Sequence, residues 1–362
     1  MENLTILGAF FTALIISLVS IPSIVAVAKQ KELCEKGGGR RLHEGVIPTL
    51  GGCAIFAGLT ISMLLFCKGV VGSEFVFGLA AAVIMLFFIG IKDDILLIAP
   101  LTKLFGQIFA ATLLVVFGDV RITSLGGIFG FYELPYLLSL LLSVFLIITC
   151  INAYNLIDGV DGLAGLLSVT AVGVFSVWFY LEGVYSVAVV GVSFIGAVLG
   201  FLRYNMFSKK NKIFMGDTGS MIVGLICATM ALRFMQYNAM EEVSDYLNPI
   251  QYAPFVALTF MIVPLYDVVR VMFIRYILHR PIMQPDNHHI HYRLKSLGFT
   301  HKQIDFWLVT FNALFAVFSW WISQHLSFLR LVLVEFLVLM FFFHIPQAII
   351  TKRKEKQRGE NK

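Results

Sequence analysis

Charge is scarce in this sequence. Asp, Glu, Lys and Arg make up 14% of its 362 residues, where a soluble domain carries about a quarter. Paired cysteines are missing as well: the five present (Cys34, Cys53, Cys67, Cys150, Cys227) are an odd number without a CxxC spacing. That pattern excludes a disulfide framework and a zinc site and leaves thiols behaving as small hydrophobes. There is no internal repeat, no linker long enough to separate domains, and none of the two-residue alternation of barrel strands. What fills the chain is apolar: 59% hydrophobic residues, among them 34 phenylalanines.

These absences point to an all-α polytopic membrane protein, because unpaired backbone groups are not tolerated in lipid and roughly 20 apolar residues make a span. Eleven apolar runs meet that need, at about 4–28, 49–67, 71–91, 104–118, 137–153, 163–181, 185–206, 218–235, 252–275, 306–323 and 328–349. The first lacks a basic leading region and is long enough to span, so it reads as a transmembrane helix and not a signal peptide. The net charge of +5 is not a nucleic-acid footprint, because the basic residues fall in short clusters between apolar runs. With the N-terminus outside, segments 29–48, 92–103, 203–212, 270–302 and 351–362 hold 5, 2, 4, 6 and 6 Lys or Arg. Only Lys68, Arg121, Arg233 and Arg330 are left outside. The positive-inside rule therefore favours eleven spans with a cytoplasmic C-terminus. The expected organisation is one membrane domain over 1–350 and a basic disordered tail over 351–362.

Polar residues that interrupt apolar sequence are costly and so informative. Four clusters do so, all on the expected cytoplasmic side. Lys92, Asp93 and Asp94 end the third run, and two adjacent carboxylates repel unless a cation or proton lies between them. Lys103 and Gln107 follow at i,i+4 spacing, on one helical face. Asn152, Asn155, Asp158 and Asp161 form the second cluster, with the two acids three apart, as one helical turn would align them. Asn205, Lys209, Lys210 and Lys212 lead into Phe214, Gly216, Asp217, Thr218, Gly219 and Ser220. There Asp217, Thr218 or Ser220 could cap a helix whose N-terminus cradles phosphate. Asp286, His288, His289, His291, Tyr292 and Arg293 make the fourth, a set that suits diphosphate recognition better than metal ligation, since neither HExxH nor cysteine accompanies it. Hard oxygen ligands meeting basic groups at one face select Mg²⁺ (or Mn²⁺) and phosphoryl chemistry.

The order and spacing of these motifs resemble the polyprenyl-phosphate N-acetylhexosamine-1-phosphate transferases, glycosyltransferase family 4. The likeness runs from Arg40, Arg41, His43, Pro48, Gly51 and Gly52 through Asp93–Asp94, 152–163 and 214–220 to His289 and His291. It implies a cytoplasmic cleft in a bacterial inner-membrane protein. There an undecaprenyl phosphate oxygen attacks the sugar-linked phosphate of a UDP-sugar and UMP leaves, starting an envelope polysaccharide. It further implies Asp217 as main Mg²⁺ ligand, Asp93 and Asp94 as acids that bind metal or orient and deprotonate the lipid phosphate, and Asp158 and Asp161 at the nucleotide end. Phe214 would stack on uracil, with Asn155 and Asn205 as supporting amides and Lys103, His289, His291 and Arg293 binding substrate.

The eleven runs and the His289-Ile-His291-Tyr292-Arg293 string are nearer the UDP-GlcNAc branch than the ten-span UDP-MurNAc-pentapeptide branch. Tyr292 stands where that branch has a further histidine. Membrane lipid and a homodimer complete the expected partners, with no nucleic acid. A transporter would instead place acids near mid-span in two related halves. A CDP-alcohol phosphatidyltransferase would need an Arg soon after the first Asp-Gly, which Asp158–Gly162 lacks.

Overall fold

The computed structural model describes residues 2–31, 33–35, 47–67, 73–239, 250, 252–277, 279 and 289–360. Helices α1 (Glu2–Gln30) and α2 (Gly51–Phe66) flank a two-residue antiparallel ladder, β1 (Cys34–Glu35) with β2 (Ile47–Pro48), in register Cys34 to Pro48. Then come α3 (Ser73–Leu96), α4 (Pro100–Phe117), α5 (Tyr136–Ile157), α6 (Leu163–Leu181), α7 (Tyr185–Phe207) and α8 (Gly216–Asn238). The chain continues through α9 (Ala253–Thr259), α10 (Ile262–Ile277), α11 (Ile290–Ser296), α12 (His301–Ser323) and α13 (Phe328–Glu360).

Each apolar run is helical, because in hydrocarbon only intra-helical pairing satisfies the backbone. Among the described residues nine helices are long and apolar enough to cross a membrane, ten if one bent pair counts as a span, and α2 is shorter at 16 residues. The protein is an all-α polytopic membrane protein. The apolar run 252–275, expected as one span, is broken: α9 and α10 meet at 86°. Pro264 has no N–H to give Phe260. The Asn312 amide of α12 supplies the missing partners instead, donating to Phe260 O at 2.8 Å and accepting from Val263 N at 3.2 Å. The final helix also runs on to Glu360, where a disordered tail was expected from 351.

At the centre lies α8, almost wholly buried and touched by α2, α3, α5, α6 and α9. It is rich in Gly, Ala, Ser and Thr, the residues that let membrane helices approach closely. Apolar side chains of the outer helices face outward: Phe88, Phe145 and Phe341 are all more than 60% exposed, as a lipid-facing surface requires. Because α3, α5 and α7 end where α4, α6 and α8 begin, the polar clusters of the sequence gather at one end of the bundle.

Candidate active site

The N-terminus of α8 is the anchor of this end. Four N–H groups there lack helical partners, and the sequence suggested Asp217, Thr218 or Ser220 as the cap. The cap comes instead from another helix. Asp94 of α3 accepts from Asp217 N at 2.6 Å, Thr218 N at 3.1 Å and Thr218 Oγ1 at 2.6 Å. A carboxylate at this position also complements the helix dipole. Close approach of α3 depends on Gly90, where a Cβ would collide with Thr218 Cα, and Gly52 plays the same part for α2 against Gly219. The segment before α2 is laced to that before α8: Phe214 N donates to Pro48 O, Gly51 N to Phe214 O and Gly52 N to Met215 O, at 2.8 to 2.9 Å.

With the cap supplied by Asp94, the Asp217 side chain is available for other partners. Lys103 of α4 bridges two acids, 2.8 Å from Asp217 Oδ1 and 2.9 Å from Asp93 Oδ2. Asn155 of α5 donates to Asp217 Oδ1 and, at 2.8 Å, bonds Ser220 Oγ. Ile98 N holds the other Asp93 oxygen at 2.9 Å. Lys103 and Gln107 do share a face of α4, as their spacing predicts: Gln107 takes the Asn152 amide at 2.8 Å and donates to Met221 Sδ. Among the described residues no three His, Cys, Asp or Glu side chains converge as a ready-made ion site. Asp93 and Asp217 meet as a pair about one ammonium.

The second group lies where α5 passes into α6. Their spacing would align Asp158 and Asp161 on a helical turn, but α5 stops at Ile157 and α6 starts at Leu163. Gly162, just after Asp161, adopts a left-handed conformation at φ +89° and is the N-cap from which α6 starts. Asp158 sits at the C-cap of α5. Asp161 takes Lys212 at 2.7 Å and His301 Nδ1 at 3.3 Å. Lys212 also stands 5.8 Å over the half-buried Phe214 ring. Asn205 holds the intervening turn by donating to Ile213 O at 2.9 Å. Its Oδ1 is buried without a partner among the described residues.

The histidine string reaches the same place. His291 is buried, with neither ring nitrogen partnered among the described residues, and its Nε2 lies against Gly159, beside Asp158. Burial pushes its pKa down to about 4, so it is neutral at physiological pH. Tyr292 lies against the His291 ring, centroids 4.2 Å apart, and Arg293 is buried one residue on. His289 leans on Asp267 of α10, which sequence reasoning did not single out. An acid inside the 252–275 apolar run was the signal that could have found it. His301 was missed too, since nothing in its local sequence marks it. Arg40, Arg41, His43, Asp286 and His288 lie outside the described residues.

A helical membrane bundle with lysine-bridged acids, helix-end amides and a neutral histidine gathered at one end has the makings of a phosphate-handling membrane transferase. The glycosyl transferase family 4 model matches residues 76–235, which span Asp93 through Asp217. The chain is 32% identical over 326 residues to a decaprenyl-phosphate N-acetylglucosaminephosphotransferase of Mycobacterium leprae, covering 84% of this chain and 80% of that protein. It is 29% identical over 336 residues to an undecaprenyl-phosphate alpha-N-acetylglucosaminyl 1-phosphate transferase of Escherichia coli K12, covering 88% and 84%. This chain belongs to glycosyl transferase family 4.

Proposed function

We propose that this enzyme transfers GlcNAc-1-phosphate, or a related N-acetylhexosamine-1-phosphate, from a UDP-sugar to undecaprenyl phosphate, in the bacterial inner membrane with the site facing the cytoplasm. The observation that carries the reading is the Lys103 ammonium held between Asp93 and Asp217 beside the N-terminus of α8. A half-buried cation flanked by acids beside a helix N-terminus suits a diphosphate and the charge that moves across it. The names of the two relatives support the sugar and the lipid class. The short cytoplasm-side Lys and Arg clusters support the orientation.

In the proposed reaction a lipid phosphate oxygen forms a bond to the sugar-linked phosphorus, and the bond from that phosphorus to the UMP oxygen breaks. Asp93 and Asp217 are the two carboxylates that would hold Mg²⁺. The fit rests on their hard oxygens, since Mg²⁺ is commonly held by one or two carboxylates completed by substrate phosphates. When bound, the ion supplies neutralisation of the diphosphate charge. Lys103 adds fixed positive charge and orients both acids. Asp94 stays the cap that aims α8. Phe214 stacks on uracil, with Asp161, placed by Lys212 and His301, beside it. Asp158, Asn155 and Asn205 line the path between base and diphosphate, and His289, His291 and Arg293 face the sugar phosphate.

The test is UMP release by the purified protein with Mg²⁺, undecaprenyl phosphate and a panel of UDP-sugars that includes UDP-MurNAc-pentapeptide. Release that requires both lipid and metal, fastest with UDP-GlcNAc, is the expected result. No UMP with any donor would overturn the reading, and a preference for the pentapeptide donor would move the chain to the other branch.

A further inference from the structure

Asp267 is 1% exposed, and the neighbours that reach its carboxylate are donors. Arg270 Nη2 lies 2.5 Å from Oδ1, His289 Nδ1 lies 2.9 Å from Oδ2, and Ile290 N reaches both oxygens at 3.0 and 3.2 Å. An ionised carboxylate only accepts, so the proton between it and His289 belongs to Nδ1. That fixes the ring's tautomer and leaves Nε2, with no hydrogen bond among the described residues, as the nitrogen that can meet a ligand. The same carboxylate holds the first amide of α11. A helix of seven residues cannot persist without tertiary anchors. The His289 and His291 rings lie nearly parallel, 12° apart with centroids at 5.9 Å, and His291 rests on Gly159 in the acid loop. One buried acid on a bent membrane helix is thus joined to the loop carrying Asp158 and Asp161.

We propose that Asp267 is a positioning residue for the phosphosugar transfer, acting through His289: it sets the histidine's tautomer and fixes α11, so that His289, His291 and Arg293 face the sugar diphosphate. The inference rests on the function proposed above. Asp267→Asn can still bond His289, but by donating to Nδ1, which moves the imidazole proton to Nε2; the side chain stays in place with the wrong tautomer.

Steady-state UMP release is compared for wild type, Asp267→Asn, His289→Gln and the double variant. Asp267→Asn should lower kcat/KM by about ten- to a hundred-fold, by analogy with losing the hydrogen-bond partner that orients a metal-ligating histidine. The double variant should be no slower than His289→Gln alone, because one residue acts through the other. Independent losses that multiply, or an Asp267→Asn variant within about twofold of wild type, would overturn the proposal. A silent wild type would instead overturn the function itself. Should Asp267→Asn fail to fold, ¹⁵N-histidine NMR of the wild type, with His289 assigned by difference against His289→Gln, tests the tautomer directly. A proton on Nδ1 is expected, and a neutral ring protonated only at Nε2 contradicts the proposal.

Discussion

At the end of the bundle where α3 finishes and α8 begins, Asp93, Asp161 and Asp217 each have a lysine within 3 Å, and the side chains of Asp93 and Asp161 are less than 15% exposed. At the opposite end, just beyond α4, Asp119 is 63% exposed and pairs with Arg121 two residues along, at 3.1 Å. Both ends contain ion pairs, and the acids paired with lysine at the first end are all less exposed than Asp119. An exposed pair is worth roughly 0–1 kcal/mol, so the outer pair asks little of the fold. A buried pair is costly to assemble and costlier to break, so the inner group persists only where close-packed helix ends and Asn155 satisfy it. Chemistry concentrates where desolvation makes a charge act strongly on a ligand.

That contrast can be tested along its whole range. Asp217→Asn should cut turnover by at least about a hundred-fold, in line with losing a charge-stabilising group from a water-poor site, while the protein still extracts from the membrane folded. Turnover near wild type would remove Asp217 from the chemistry. Phe214→Ala should leave kcat nearly unchanged and raise KM for the UDP-sugar, since one base-stacking contact is worth about 1–3 kcal/mol. An unaltered KM would place the uracil elsewhere.

The pH dependence of stability probes His291. Its folded pKa is about 4 and its unfolded value 6.5, so between these the unfolded chain binds the extra proton. The stabilisation is complete above about pH 7 and drains away as pH falls toward 4, by up to about 3 kcal/mol. Thermal unfolding in detergent should show that slope and lose it in His291→Gln; an identical slope in the variant would contradict the burial. The smallest effect belongs to the far end. Arg121→Gln should change stability by less than about 1 kcal/mol and leave turnover alone. A large loss of activity there would break the comparison.

Much of the site was legible because charge inside apolar sequence is hard to miss. Asp93, Asp94, Asn155, Asp158, Asp161 and Asp217 announce themselves by interrupting runs that would otherwise span lipid, and the structure gathers their segments. What sequence could not show is who partners whom. The α8 cap is Asp94, 123 residues away in sequence, and no local pattern reports it. The bend between α9 and α10 was invisible to hydropathy, because Pro264 cannot donate to Phe260 O and the amide that takes up Phe260 O and Val263 N sits on α12. Asp267 escaped notice for a similar reason: a lone acid in a run gains meaning only once His289 folds back onto it.

The most direct test of the central claim follows the phosphorus. UDP-GlcNAc labelled with ³²P at the β-phosphate is incubated with purified protein, undecaprenyl phosphate and Mg²⁺, and the lipid is then extracted. Transfer of the phosphosugar carries the label into the lipid fraction in step with UMP formation, and that is the result expected. Label left in the aqueous phase while sugar enters the lipid, or while nothing does, would contradict the account.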